Sequence, residues 1–270
     1  MRRRLKDWLW ELGLLGLAFR VYALIRLIRP RVLLSNVRYL RNGSPDGIPI
    51  PPVRLIYLIA GTPDIDWFLS SGRLSADSVI AALARAGVDI AEVRAILDFG
   101  CGCGRVLRNL KALPNARLVG TDYNALLIRW CQAQLPFATF SINQLAPPLQ
   151  YPSSSFDLIY SFSVFTHMPA DIQDEWVREL TRLLRPGGHL VVSTHGDRYI
   201  HHLNGDEKAR FAAGQLVVKP YGRPGSNSFQ AYHPSSYVRD HLANGLRLVN
   251  FEPEGAKGVP YQDLYLLRRG

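Results

Sequence analysis

The sequence predicts an α/β fold in which helices cover both faces of a mostly parallel, doubly wound β-sheet. Three observations predict it. From residue 94 onward, short apolar segments of strand length alternate with segments of helix length, as parallel strands require. A glycine-rich turn at residues 100–104 follows the first apolar segment, as it does at the ligand-binding edge of such sheets. The last two apolar segments have no helix-length segment between them, so we expect an antiparallel pair there.

The individual elements follow from apolar runs, caps and breakers. Strands are predicted at residues 95–99, 117–121, 138–142, 156–162, 189–194, 246–252 and 263–268. Helices are predicted at residues 105–113, 125–135 and 171–184. Residues 185–188 are predicted as a turn before the fifth strand. Upstream, residues 65–71 precede a helix at 75–86, with Ser75 as its N-cap and Gly87 as its stop.

Composition divides the chain into three segments. Residues 1–41 are predicted as a basic, apolar-rich helical arm, with a long helix over 5–29 ended by Pro30. Residues 42–93 are predicted as a linker and helical cap, and residues 94–270 as the α/β domain. Within that domain, residues 196–240 form a long insertion at the ligand-facing edge, which is typical of a lid.

The cysteines and the apolar runs indicate where in the cell the protein is expected. The chain has three cysteines, two of them in the glycine loop, which is a poor disulfide framework and favours a reducing, cytoplasmic location. The apolar run 12–19 ends at Arg20 and is too short for a membrane span. No cleavage site of small residues follows it, so we do not expect a signal peptide.

Polar residues and glycines gather at the predicted carboxyl ends of the first three strands. The glycines of the loop 100–104 let the backbone turn sharply and approach a ligand closely. Asp122 ends the second strand, where a carboxylate accepts hydrogen bonds from ribose hydroxyls. Asn143 and Gln144 follow the third strand, where an amide can pair with the edge of adenine. Together these residues predict a site for a nucleotide-type ligand.

Four motifs taken together resemble those of class I S-adenosylmethionine-dependent methyltransferases. They are Leu-Asp-Phe-Gly-Cys-Gly-Cys-Gly at 97–104, Gly-Thr-Asp at 120–122, Phe-Asp-Leu-Ile at 156–159 and Leu-Arg-Pro-Gly-Gly at 184–188. The acidic residue before a G-x-G-x-G loop separates this family from the G-x-G-x-x-G dehydrogenases. The resemblance covers about residues 94–270. It implies a seven-stranded sheet with an antiparallel last strand, S-adenosylmethionine as cofactor and methyltransferase activity.

The same resemblance implies which residues bind the cofactor. The methionine part would lie near Asp98, Gly100 and Gly102, the ribose on Asp122, and the adenine beside Tyr123 and Asn143. The complete predicted set is Asp98, Gly100, Cys101, Gly102, Asp122, Tyr123, Asn143, Gln144 and Ser161. One departure is Asn143, because the family often has an acidic residue after the third strand. An amide can still pair with adenine.

Two histidines are predicted to act in catalysis. A hydroxyl or protonated amine that becomes methylated must lose a proton to a group within hydrogen-bond distance. His167 follows the fourth strand and His195 follows the fifth, so both lie at the ligand-facing edge. The structural alternative for His167 is a residue at the start of a helix that bonds the backbone. No metal is predicted, since the adjacent His201 and His202 point apart on most backbones.

The distribution of charge limits the acceptor and the partners. The net charge is +10 over 270 residues, but residues 1–41 carry +8 and the remaining residues only +2. No Asn/Asp-Pro-Pro-aromatic motif follows the fourth strand, where Ser161-Phe162-Ser163 stands, so nucleic acid is disfavoured as acceptor. We therefore expect transfer to an oxygen or nitrogen of a small-molecule, glycan or lipid-linked acceptor.

Several alternatives stay open at this point. The basic arm either folds over the acceptor pocket or lies on an anionic membrane surface. The first rival function is a catalytically silent binding module that docks on membranes through residues 1–41. The second is a nicotinamide oxidoreductase, which Asp98 and the spacing of the glycine loop disfavour. The sequence predicts no oligomeric state.

Overall fold

The structure is a computed structural model that describes residues 14, 18, 21 and 30–270. The chain divides into two compact units, Met1–Leu69 and Ser70–Gly270. The helix predicted over residues 5–29 lies outside the described residues. None of the helices in the described part is both long enough and apolar enough to cross a membrane.

The first unit is helical where the structure describes it. Helix α1 is Pro30–Asn42 and helix α2 is Val53–Ala60. Helix α3, Ile65–Arg85, begins in this unit, and most of its residues belong to the second. Residues 43–52 between α1 and α2 are turns and coil, in keeping with the glycines and prolines of that segment.

Helix α3 corrects the helix break predicted near Ser75. The structure has one continuous helix over Ile65–Arg85, so Ser75 is in its interior rather than at its N-cap. The Ser75 side chain is fully buried; its Oγ donates to the Lys257 carbonyl over 3.1 Å and accepts from Nη1 of Arg105 over 3.1 Å. A serine whose hydroxyl has such tertiary partners does not need to cap the backbone, so the local capping signal was misleading.

The second unit contains the predicted sheet. Its strands are β1 Ala95–Phe99, β2 Arg117–Asp122, β3 Thr139–Ile142, β4 Phe156–Ser161, β5 Leu184–Thr194, β8 Leu246–Glu252 and β9 Asp263–Arg269, with the insertion strands β6 and β7 described below. The order across the sheet is β3-β2-β1-β4-β5-β9-β8. Strands β1 to β5 pair in parallel, whereas β9 is antiparallel to both β5 and β8. The seven-stranded, doubly wound prediction with an antiparallel last strand is confirmed.

Two long helices flank this sheet: α4 Ala125–Gln134 and α5 Ala170–Leu183. Helix α5 buries its apolar face, and the rings of Phe99 and Trp176 lie 4.4 Å apart between centroids. The helix predicted over 105–113 is wrong, since only the short 3₁₀ turn Leu107–Leu110 forms there. Arg105 and Arg108 are both buried in this segment, so tertiary packing overrides the local helical preference.

Strand β5 begins earlier than predicted. It starts at Leu184, which pairs with Phe156, and the pairing shifts register before Leu158 pairs with His189. The turn predicted over residues 185–188 therefore lies within the strand as an irregularity, with Gly187 at a φ of 80°.

The insertion between β5 and β8 has secondary structure of its own that was not predicted. It contains a 3₁₀ turn Asp197–His202, helix α6 Gly205–Ala212, and the antiparallel pair β6 Val217–Pro220 and β7 Phe229–Tyr232. Helix α6 begins with a reciprocal cap between Asn204 and Glu207.

Candidate cofactor and active site

The carboxyl ends of β1, β2 and β4 bring the predicted cofactor residues to one edge of the sheet. Asp98 pairs in register with Gly120 of β2 and with Tyr160 of β4. Asp122 and Ser161 end these two neighbouring strands. Side chains predicted from three separate motifs thus lie around the start of the glycine loop, as expected at the switch point of a doubly wound sheet.

The glycine loop is held by backbone contacts. The N–H groups of Gly100 and Cys101 both donate to the Thr121 carbonyl, over 2.8 and 2.9 Å. Gly100 and Gly102 have φ values of 81° and 56°, in the left-handed region that glycine adopts at low cost. The thiols of Cys101 and Cys131 donate to the Gly102 carbonyl over 3.7 and 3.4 Å. The Cys101 side chain therefore stabilises the loop from within.

Substitution of Gly100 tests how strictly the loop requires glycine. A Cβ at this position would lie 2.2 Å from Cγ2 of Val164, at a φ of 81°. We expect Gly100→Ala to lower the free energy of unfolding by about 2–4 kcal/mol, as the sum of a left-handed backbone and an overpacked contact. Urea denaturation measures this change.

Gly87→Ala is the matched control, because Gly87 has a φ of 76° but no atom within 4 Å of an added Cβ. Its free energy of unfolding should fall only by the cost of the left-handed backbone, about 1 kcal/mol. Equal losses in the two variants would show that the contact with Val164 is unimportant.

Two buried polar atoms near the carboxyl ends of β1 and β4 have no hydrogen-bond partner among the described residues. They are Oδ2 of Asp98 and Oγ of Ser161. Burial raises the pKa of the Asp98 carboxyl to about 8, although the phenol of Tyr160 and the guanidinium of Arg105 lower it. Since buried polar atoms are ordinarily hydrogen-bonded, these two fit a ligand with polar and cationic groups, such as the methionine part of S-adenosylmethionine.

Asp122 is oriented by two backbone donors. Its Oδ2 accepts from the N–H of Gly102 over 2.9 Å and its Oδ1 from the N–H of Asn124 over 2.8 Å. Burial raises the pKa of Asp122 to about 6, while these two hydrogen bonds lower it. The carboxylate is therefore ionised at neutral pH, and each oxygen keeps a lone pair for a hydroxyl donor.

The residues predicted to contact adenine lie next to Asp122. The N–H of Asn143 donates to the Asp122 carbonyl over 3.2 Å, which fixes the start of the segment after β3. The Asn143 amide donates to the Gln144 carbonyl over 2.7 Å, and its buried Oδ1 has no partner among the described residues. Tyr123 and Gln144 are exposed. The geometry brings Tyr123 and Asn143 to the same edge as Asp122.

Residues 225–231 of the insertion, here called the strap, cross the carboxyl ends of three strands. The Tyr123 hydroxyl donates to the Gly225 carbonyl over 2.7 Å, and the Gly225 N–H donates to the His167 carbonyl over 2.7 Å. Further along the strap, Phe229 and Ala231 present carbonyls to the two predicted catalytic histidines.

These carbonyls determine the tautomers of the histidines. Nδ1 of His167 lies 2.7 Å from the Phe229 carbonyl, and Nδ1 of His195 lies 3.2 Å from the Ala231 carbonyl. A carbonyl only accepts hydrogen bonds, so each neutral ring carries its proton on Nδ1 and its basic lone pair on Nε2. Both rings are thus set to accept a proton at Nε2.

His195 lies in an aromatic environment. Its ring is 4.1 Å from that of Tyr199 and 5.5 Å from that of Tyr232, between centroids. Burial lowers the pKa of His195 well below its ordinary value, and the neighbouring histidines, His167 first among them, act in the same direction. His195 is therefore neutral at physiological pH.

Sequence reasoning missed the residues that support this pair. The His233 N–H donates to the His195 carbonyl over 2.8 Å, and Nε2 of His233 lies 3.1 Å from Oε1 of Gln173. The Gln173 amide in turn donates to the carbonyls of Phe165 and Met168, on both sides of His167. No motif marks these contacts, because they depend on which strap residue faces which strand end.

Comparison with known proteins gives a consistent assignment. Residues 96–188 match the family model described as a methyltransferase domain. A Mycolicibacterium smegmatis protein named "Probable S-adenosylmethionine-dependent methyltransferase" is 35% identical over 101 residues, covering 37% of this chain and 38% of that protein. The trans-aconitate 2-methyltransferase of Variovorax paradoxus is 30% identical over 117 residues, covering 42% of this chain and 43% of its own. The chain thus spans about two fifths of the length of these relatives.

The fold has solved counterparts as well. The structure of an S-adenosylmethionine-dependent methyltransferase from Mesorhizobium loti matches with a TM-score of 0.53 at 20% identity, over 71% of this chain and 98% of that one. At this identity the match supports the fold alone. The family match therefore identifies a methyltransferase domain within residues 96–188, and the glycine loop and strand order are similar to those of the class I S-adenosylmethionine-dependent methyltransferases.

Proposed function

We propose that the protein transfers a methyl group from S-adenosylmethionine to an oxygen or nitrogen of a small-molecule, glycan or lipid-linked acceptor. The observation that carries the proposal is the pair of buried polar atoms of Asp98 and Ser161, which have no hydrogen-bond partner among the described residues and lie at the start of the glycine loop. Such atoms are costly to bury unless a ligand satisfies them.

The cofactor is held by residues of this edge. Asp98 would face the cationic methionine part, the left-handed glycines Gly100 and Gly102 would allow close approach of the backbone, and Asp122 would accept from the ribose hydroxyls. Tyr123, Asn143 and Gln144 would contact the adenine. When bound, S-adenosylmethionine supplies a methyl carbon on a positively charged sulfur, which leaves with the electron pair of the broken carbon–sulfur bond.

The chain's own contribution to the transfer is positioning and proton removal. We assign proton acceptance to Nε2 of His195, because the Ala231 carbonyl fixes its tautomer and burial keeps the ring neutral. His167 has the same tautomer at the end of β4 and contacts the acceptor. Holding the acceptor group in line with the methyl group lowers the activation free energy further, by about 7–11 kcal/mol at most.

The nature of the acceptor is supported by charge and by similarity. Outside residues 1–41 the chain carries only +2, which is little for binding a polyphosphate backbone. The Variovorax paradoxus relative is named for a small-molecule acceptor. Both observations favour a small acceptor.

The strap should govern how fast the cofactor leaves. Tyr123→Phe keeps the ring beside adenine and removes the hydroxyl that donates to the Gly225 carbonyl. We expect the dissociation rate of S-adenosylmethionine to rise about 3–10-fold, as the loss of one hydrogen bond predicts. Stopped-flow displacement measures this rate.

Tyr151→Phe is the control for that experiment, because it removes a hydroxyl whose partner is Ser141 in β3 rather than the strap. Its dissociation rate should equal that of the wild type. If Tyr123→Phe also matches the wild type, the strap does not retain the cofactor.

The acceptor class is tested with S-adenosylmethionine that carries tritium in its methyl group. The full chain is incubated with separated small-molecule, glycan, lipid and RNA fractions from the source cells. We expect label in one of the first three fractions, at a rate that falls in Asp122→Asn at limiting cofactor. Label that enters only RNA, or no fraction at all, would contradict the proposal.

A further inference from the structure

Helix α1 has an unusual distribution of polar and apolar residues. Its buried positions are polar: Asn36 and Tyr39. The Asn36 amide donates to the Pro63 carbonyl over 2.9 Å and accepts from the Ile65 N–H over 3.0 Å. The Tyr39 hydroxyl donates to Oδ1 of Asp66 over 2.8 Å. These contacts fix which face of the helix is turned inward.

The opposite face is apolar and exposed. Leu33, Leu34, Val37 and Leu40 are 52%, 70%, 37% and 68% exposed. At 100° per residue these four side chains fall within an arc of about 120°. A helix that buries asparagine and exposes leucine on this scale has a surface suited to an apolar partner.

The charges on the helix identify the partner. Helix α1 carries Arg31, Arg38 and Arg41 and no acidic residue. Arg31 and Arg38 lie on one flank of the apolar arc and Arg41 lies within it, at the end of the helix. The arm of residues 1–41 to which they belong carries +8. An exposed apolar face flanked by cations on a helix about 20 Å long is the pattern of a helix that lies in the interface of an anionic bilayer.

We propose that the protein docks on anionic lipid membranes through the face of α1 formed by Leu33, Leu34, Val37 and Leu40. The leucines enter the interface, and the arginines contact the lipid phosphates. The inward polar contacts of Asn36 and Tyr39 hold the helix in the orientation that presents this face. The inference is independent of methyl transfer, so its failure would leave the proposed function untouched.

The test is flotation of the full chain with vesicles of phosphatidylcholine alone or mixed with phosphatidylglycerol. We expect the wild type to float with the anionic vesicles only. Leu34→Gln combined with Leu40→Gln changes no charge and alters two exposed side chains, and should lower the partition coefficient about tenfold or more. Arg31→Gln combined with Arg38→Gln should lower it by a similar factor on anionic vesicles.

Leu126→Gln is the matched control, because Leu126 is an exposed leucine on α4, at 57%. It should float like the wild type. The proposal is overturned if the wild type does not float, or if the Leu34/Leu40 variant floats equally well. It is also overturned if sedimentation velocity finds a wild-type dimer that the Leu34/Leu40 variant converts to a monomer, because a second copy then covers this face.

Discussion

Replacing His195 with asparagine should lower kcat by about 10²–10⁴-fold, the usual contribution of a general base. Asparagine keeps an N–H donor for the Ala231 carbonyl, which Nδ1 contacts over 3.2 Å in the wild type, but it has no basic nitrogen. The affinity for S-adenosylmethionine should be unchanged, because His195 is not among the predicted cofactor-binding residues. The measurement is the rate of transfer to the acceptor that the labelling experiment identifies.

His189→Asn is the matched control. His189 is also a buried histidine of β5, and burial also lowers its pKa, but it lies far from the carboxyl end of the strand. Its kcat should stay near that of the wild type. A His195→Asn variant within about threefold of the wild-type kcat would exclude His195 as the proton acceptor.

The pH dependence of the transfer rate is a second test of His195 as the proton acceptor. His195 accepts a proton only when its ring is neutral, and burial lowers its pKa well below the ordinary 6.5. The rate should therefore hold between pH 7 and about 6, and fall only as the pH decreases through the lowered pKa. An acid limb centred at 6.5 or above would assign the proton to a group other than His195.

Replacing Asp122 with asparagine should weaken S-adenosylmethionine binding about 10–100-fold, or about 1–3 kcal/mol. The wild-type carboxylate accepts from the N–H groups of Gly102 and Asn124, and the proposed function assigns its other lone pairs to the ribose. An amide must direct its own N–H₂ group at one of these donors, so the variant loses both charge and orientation. Isothermal titration measures the change in Kd.

Asp157→Asn is a close control for this variant. Oδ2 of Asp157 accepts from the N–H groups of Arg94 and Ala95 over 3.0 and 2.8 Å, at the amino end of β1. Its loss of stability should be similar, whereas its affinity for the cofactor should equal that of the wild type. Equal weakening in both variants would mean that Asp122 acts through stability alone.

The strands could be predicted from the sequence because each signal is local. Apolar runs such as Ala95–Phe99 and the glycines of the loop need no knowledge of distant residues. The predictions that were wrong lie where tertiary contacts determine the secondary structure. Ser75 resembles an N-cap but is bound to Arg105 and the Lys257 carbonyl, and residues 105–113 lose their helix because Arg105 and Arg108 are buried.

In the candidate site, too, local signals predict some features and tertiary contacts determine the others. The types and positions of Asp98, Asp122 and the two histidines follow from the ends of predicted strands. What the sequence could not provide is the strap's contacts with His167 and His195, since these depend on the register of the β6–β7 pair. Their tautomers follow only from those contacts.

The most direct test of the central claim is isothermal titration of the full chain with S-adenosylmethionine, S-adenosylhomocysteine and NADH. The methyltransferase domain matched at residues 96–188 and the buried polar atoms of Asp98 and Ser161 predict one site that binds the first two ligands and not the third. A well-folded protein that binds neither S-adenosylmethionine nor S-adenosylhomocysteine would contradict the account.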